Sequence, residues 1–362
     1  MSRILIVAFA LVGAIVGAAF ATGRESLIFY TSFGLKGTWG LIIATLLYAY
    51  FSMILVYIGQ RFRNKTPHKA LYALSGKPLG IVIDVVILLT MFSTGVAMIA
   101  GGGSILHQQF DLPFWQGSLL MAVITALTIM LNARKVVIAV GALTPFLLLF
   151  LIAICSYSLI NNQTPLTELE PLVLKTKETL PGTLPNWLIA ALNHVSFNMA
   201  VGAGMALVIG SCEKNPKHAL LGGALGGLLI GGILLLGYFN LFTNIEAITA
   251  SKAGKLIVAD MPLLAITASF PPIVSWLMML IIFGMIYNTS VSMFYVVSAR
   301  FVPMETKQSK PFIVLLMAVA LLLSSFGFTD VVGYLYPLMG YLGFILIGLL
   351  LYAPFKFRRK SI

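Results

Sequence analysis

Charge is the scarcest commodity in this chain. Only 9% of its 362 residues are Asp, Glu, Lys or Arg, against 59% hydrophobic, where a soluble domain carries roughly 25% charge. That deficit excludes an ordinary water-soluble domain and places most of the chain in lipid. Cysteine is nearly absent, with Cys155 and Cys212 alone, so there is no disulfide framework. The four histidines, His68, His107, His194 and His218, are scattered, and no Cys/His spacing fits a zinc site. There is no phosphate-binding loop, no dinucleotide fingerprint and no His-Glu-x-x-His. An ATP-driven pump, a redox enzyme and an intramembrane hydrolase all lose their usual signatures, and no enzyme activity or cofactor is expected. Acidic residues number 11 against 23 basic. In a membrane protein that surplus reports orientation and does not point to nucleic acid.

What is present is long apolar runs. Crossing the hydrocarbon takes about 20 apolar residues, and on that basis ten spans are expected: 4–33 (long and interrupted), 38–60, 80–106, 116–132, 136–160, 186–210, 218–242, 272–299, 311–327 and 331–354. Seventeen basic residues then fall in loops or termini on one side and five on the other, with Arg24 inside the first span. Basic residues favour cytoplasmic loops, so both termini are expected in the cytoplasm of a cell that keeps this protein in its lipid bilayer. Two external stretches are long enough for structure of their own, 161–185 and 244–272. The second is expected to hold a short helix over the outer mouth.

The first span reads Gly-Ala-Ile-Val-Gly-Ala-Ala-Phe-Ala-Thr-Gly-Arg-Glu from Gly13 to Glu25. Each glycine weakens a helix by about 1 kcal/mol relative to alanine. A charge at membrane depth costs about 2.5–3.5 kcal/mol on the lenient insertion scale. Such a segment suits an unwound backbone lining a water-filled cavity. A competing reading takes Arg3, the apolar run and Ala19-Phe20-Ala21 as a cleavable secretory signal, although Gly13, Gly17 and Gly23 are unusual in a disposable segment. The sixth span is also polar and glycine-bearing, from Asn193 to Gly204. Ten spans divide into two halves of five, about 4–160 and 186–354, within one transmembrane domain covering 1–362. Five is odd, so the second half enters the membrane inverted. Interrupted segments at corresponding places in two halves point to a midplane binding site. Breaks are therefore expected in spans one and six. The seventh span instead carries Gly222, Gly223, Gly226, Gly227, Gly231 and Gly232, read as close helix packing.

The Gly13–Glu25 motif resembles the first-span signature of the YkvI family of bacterial membrane proteins, Gly-x-x-Val-Gly-Ala-Gly-Phe-Ala-Thr-Gly-Gln-Glu. Ala19 replaces the family's usual glycine and Arg24 its frequent glutamine. The resemblance implies the five-plus-five inverted repeat of the LeuT fold, shared with amino acid–polyamine–organocation transporters, neurotransmitter–sodium symporters and spore-germinant receptor subunits. It implies an all-α protein of the bacterial inner membrane in which spans one, two, six and seven rock against three, four, eight and nine.

Broken half-helices present free N–H groups to a carboxylate and free carbonyls to a cation. A small zwitterion such as an amino acid is therefore expected among Val16, Gly17, Ala18, Ala19 and Phe20 of span one and Ser196, Phe197, Asn198, Gly202 and Gly204 of span six. By resemblance, Thr289 and Ser290 match the hydroxyl pair that joins span-one carbonyls, here of Gly13 and Val16, around sodium. The alternative is that these hydroxyls bond back to their own helix. Glu25 is the second coupling candidate, as a proton carrier. Its alternatives are a salt bridge to Arg24 or a place in the outer water. By the same resemblance, Arg24 is a gate candidate that pairs with Asp330 at the outer end of span ten. Transport of a solute is one function such a cavity serves. Ligand sensing without transport, by a receptor subunit, is the other.

Overall fold

The computed structural model describes residues 3–63, 67–141, 144–161, 164–252, 255–304 and 306–359. The first span is in pieces: α1 (Arg3–Ile15), α2 (Ala18–Thr22), α3 (Arg24–Phe29) and a 3-10 turn, Thr31–Phe33. Then come α4 (Lys36–Arg61), α5 (Pro67–Ser75), α6 (Lys77–Phe110), α7 (Phe114–Gly141), α8 (Thr144–Asn161), α9 (Leu166–Thr179), α10 (Trp187–Cys212) and α11 (Pro216–Thr243). A cap follows, made of α12 (Ile245–Ile248), the antiparallel hairpin β1 (Thr249–Lys252) and β2 (Lys255–Val258), and α13 (Pro262–Thr267). The chain ends with α14 (Pro272–Phe301), α15 (Ser309–Ser324), α16 (Phe328–Asp330), a π turn (Val331–Leu335) and α17 (Tyr336–Arg359).

Among the described residues six helical stretches are long and apolar enough to cross a membrane: α4, α6, α10, α11, α14 and Phe328–Phe357. Shorter apolar helices occupy Arg3–Ile15, Phe114–Met130 and Ser309–Ser324. Their ends follow local chemistry. The Asn186 side chain accepts from the Leu188 and Ile189 amides at 3.1 and 2.9 Å and starts α10. Asn215 accepts from Lys217 N at 2.9 Å and, with Pro216 behind it, starts α11. These bonds satisfy amides that a helix leaves open at its first turn.

Packing sorts the helices into two groups. α1, α4, α10 and α11 form one, and α6, α7, α14 and α15 the other, with α17 against α10 and α6. The α11 glycines act as the sequence suggests. An added Cβ on Gly222 or Gly226 would meet Val7 of α1 at 2.6 Å or Leu11 at 2.9 Å, and on Gly223 or Gly227 the α4 backbone at 2.8 or 2.3 Å. Gly231 faces Thr45, and Gly232 faces open space. α1 is thus built into the bundle. The outer segments are structured too: Glu170 of α9 accepts from Leu35 N at 3.0 Å, and Gln108 of α6 bonds both the N and the O of Met261.

One expectation fails. Span six does not break: α10 runs continuously from Trp187 to Cys212. Its polar side chains find backbone partners without unwinding, although Asn193 Oδ1 stays unpaired. Asn193 Nδ2 donates to Pro337 O at 2.9 Å and Ser196 Oγ to Gly340 O at 2.7 Å. Asn198 Nδ2 donates to His194 O, one turn back, at 3.1 Å. The glycines serve contact instead: a Cβ on Gly202 would lie 2.5 Å from Ile15, and one on Gly210 2.0 Å from Val56 O. The irregular partner of span one is the tenth span. There the π turn precedes Pro337, which cannot donate an amide to the turn behind it.

Candidate substrate and ion site at the break in span one

α1 stops where Val16 N donates to Val12 O at 2.7 Å and Gly17 N turns to Ile15 O at 2.8 Å. The Gly17 amide therefore leaves Gly13 O, its regular helical acceptor. α2 then runs five residues to Gly23, whose φ of +80° ends it and starts α3. A side chain there would be strained by about 1–2 kcal/mol, and its Cβ would also sit 2.9 Å from Leu263. Two glycines thus cut one span twice.

The first cut brings several expected residues together. A Cβ on Gly17 would lie 3.3 Å from Thr289 Oγ1 of α14, and Gly202 of α10 faces Ile15 at the α1 end. Val16 and Phe20 are buried, and of Ala18 and Ala19 the backbone alone is described. Other expected residues are turned elsewhere. Ser290 accepts from Thr125 Oγ1 of α7 at 3.1 Å, which ties it within the second helix group. Phe197 stacks on Tyr336 of α17, with ring centroids 4.2 Å apart. Ser196 and Asn198 are engaged as above, Gly204 lies 3.5 Å from the Met91 methyl group by the same Cβ measure, and Gly13 is on an exposed face.

The charges lie beyond the second cut. Arg24 is 1% exposed, and Nη1 donates to Ala259 O of the cap at 3.1 Å. Its charge is felt by Asp260 and by Asp330, but its hydrogen bond goes to the carbonyl, and Asp330 is exposed. Asp260 accepts from Ser104 of α6 at 3.1 Å and from Thr329 of the tenth span at 2.5 Å. Asp260 is the acidic centre of this outer layer, and sequence reasoning passed it over. Its signal was a carboxylate ahead of Pro262 in the segment already assigned to the outer mouth.

Glu25 neither bonds Arg24 nor reaches outer water. It is 3% exposed, with Oε2 2.9 Å from His194 Nε2, and His194 is fully buried. Nδ1 of the same ring is 2.8 Å from the Tyr30 hydroxyl and 3.1 Å from that of Tyr48. Phe29 stacks on the imidazole at 4.5 Å and Phe20 lies at 5.9 Å. On the opposite side of the protein, Asp84 of α6 pairs with Arg300 of α14 and accepts from the Tyr72 hydroxyl at 3.3 Å. Among the described residues no group of three or more His, Cys, Asp or Glu is placed to hold a metal ion.

A first span in pieces, with α1 in one helix group and α2 against α14 of the other, belongs to a multi-pass helical membrane protein. The same fold appears in MhsT in complex with L-phenylalanine, with TM-score 0.64 at 18% identity over 96% of this chain and 89% of that one. Mhp1 in its inward-facing form gives 0.64 at 14% over 97% and 77%. A Na+-coupled sialic acid symporter in its outward-open state gives 0.60 at 11% over 96% and 78%. These are LeuT-fold proteins. In sequence, the chain is a distant homologue of the membrane protein YkvI of Bacillus subtilis, 24% identical over 361 residues, 98% of this chain and 97% of YkvI. It is also similar to YyaD of the same organism, 26% over 343 residues and 94% of each. No family model matches.

Proposed function

We propose that this protein is an ion-coupled secondary transporter that moves a small zwitterionic solute, an amino acid in the first instance, by alternating access. The observation that carries the reading is the break at Val16–Gly17 facing Thr289, in a fold shared with MhsT in complex with L-phenylalanine and with a Na+-coupled sialic acid symporter. The solute carboxylate sits at the amides that open α2, with Gly17, Ala18, Ala19 and Phe20 around it. Sodium, a hard cation that wants oxygen, takes the carbonyls of Gly13 and Val16 and the hydroxyl of Thr289. Ser290 already receives a hydrogen bond, but its oxygen keeps a second lone pair for the ion. The halves at about 4–160 and 186–354 form an inverted repeat, and both termini lie in the cytoplasm of the inner membrane, as the one-sided basic loops support.

The test is thermal stabilisation of the purified protein across the amino acids in sodium and in potassium, followed by uptake into proteoliposomes. Stabilisation by an amino acid in sodium, lost in Thr289→Ala, supports the site. Saturable binding with no gradient-driven uptake reassigns the protein as a receptor. No stabilisation by any amino acid in either salt refutes the substrate class.

A further inference from the structure

We infer that Glu25 and His194 together form a proton-binding site, closed by Tyr30 and Tyr48, that loads when span one packs against span six. As a coupling device it rests on the transport reading. As a proton site it does not.

Donors and acceptors balance in two protonation states of this cluster. With His194 neutral and its proton on Nε2, the ring donates to Glu25 Oε2 across 2.9 Å. Nδ1 then accepts from the Tyr30 hydroxyl at 2.8 Å, and Tyr48 donates to His194 O at 3.3 Å. Each of these groups is paired, and the cluster carries one negative charge. Now let the Nδ1 lone pair take a proton from water. The new Nδ1–H donates to the Tyr30 oxygen. Both hydroxyls lie within 3.1 Å of Nδ1, so Tyr30 turns its own O–H toward the Tyr48 oxygen beside it. Tyr48 still donates to His194 O. All are paired again, and the net charge is zero. One proton enters and no buried polar group is stranded, which is what makes a buried site reversible.

Charge decides which form suits the closed core. A buried charge without a partner costs several kcal/mol. The neighbouring cation, Arg24, bonds Ala259 O of the cap and makes no ion pair with Glu25 among the described residues. The other titratable groups that face the pair are Tyr30 at the end of α3, Tyr48 of α4 and Tyr336 of α17. None of them supplies a positive charge. The neutral, protonated cluster therefore fits the packed state seen here. The anionic one favours a state in which Glu25 meets water. Because the carboxylate is on span one and the ring on span six, separating those elements and releasing the proton are one event.

The test reads the proton directly. Replacing His68, His107 and His218 by Gln leaves His194 as the sole histidine, and 15N labelling then reports one imidazole in the full-length protein in detergent. The expected result over about pH 5 to 9, the range that brackets an ordinary histidine, is a neutral ring with its proton on Nε2 converting to imidazolium on acidification. Glu25→Gln, checked for monodispersity, should move the midpoint. A ring fixed in one state across the range, in protein that stays monodisperse, overturns the inference, and so does a midpoint indifferent to Glu25→Gln. Solute uptake alongside a non-titrating ring defeats the proton site and leaves the transport reading standing. Titration with no uptake of any amino acid does the reverse.

Discussion

Gly227→Ala and Gly232→Ala form a matched pair on one helix, and the structure gives them opposite signs. Both exchanges gain up to about 1 kcal/mol of helix propensity. At Gly232 nothing lies within 4 Å of the new methyl group, so that gain stands unopposed. At Gly227 the methyl carbon would lie 2.3 Å from Tyr48 O and 2.5 Å from Ala49 Cα, both backbone atoms of α4. No rotamer change relieves that clash. Reaching ordinary contact, which starts at 3.4 Å, means parting α11 from α4 by about 1 Å, and a gap of that size forfeits a quarter to a half of the dispersion energy along the seam. Overpacking of this kind costs about 1–3 kcal/mol. Backbone-to-backbone geometry puts it at the upper end, for a net loss of about 2 kcal/mol after the propensity gain. The variants should differ by about 3 kcal/mol, several degrees in midpoint for a chain of this size. The assay is the temperature at which half the monodisperse peak survives on size-exclusion chromatography in a single detergent. Gly227→Ala as stable as the parent, or a reversed order of the two variants, refutes the packing argument.

Two further outcomes follow from local geometry. Gly23→Ala places a side chain at φ +80° and 2.9 Å from Leu263, so yield and thermal midpoint should fall by the equivalent of about 2 kcal/mol or more. Unchanged midpoints would mean that the second cut is not held. Glu213, in the turn between α10 and α11, accepts from the Asn215 and Lys214 amides at 3.0 and 2.9 Å, and these bonds hold its carboxyl below the usual 4.5. A depressed carboxylate stabilises the fold above its unfolded value and loses that contribution as pH falls through the folded one. Acid melting below about pH 4.5 should be shallower in Glu213→Gln than in the parent, and identical acid limbs would remove the turn from the account.

Much of the fold was legible because lipid imposes simple rules. Apolar run length marked the helices, and the unpartnered glycines of α11 marked a seam. The break in span one was legible because Gly17, Gly23, Arg24 and Glu25 make a plain anchor untenable. Span six misled for a definite reason. Asn193 and Ser196 read as polarity in need of water, while their actual partners are carbonyls of Pro337 and Gly340, 144 residues away. A side chain that satisfies a distant backbone leaves no local trace. His194 likewise bonds Glu25, 169 residues away, and leaves little local trace beyond Asn198 one turn later on an otherwise apolar helix. The choice of Ala259 O over Asp330 for Arg24 depends on a hairpin whose position no periodicity encodes.

The separation of Arg24 and Glu25 from their partners also bears on how the chain is made. Glu25 waits for a residue 169 positions later and Arg24 for one 235 positions later. At about 5–20 residues per second of synthesis, those partners emerge roughly 10 to 50 s afterwards. Through that interval the first segment carries two charges that the bilayer penalises by about 2.5–3.5 kcal/mol each, with neither compensation in place. The opening helix is thus expected to settle at its final depth only once residues 194 and 259 have emerged, because its two charges find these partners nowhere in the N-terminal half.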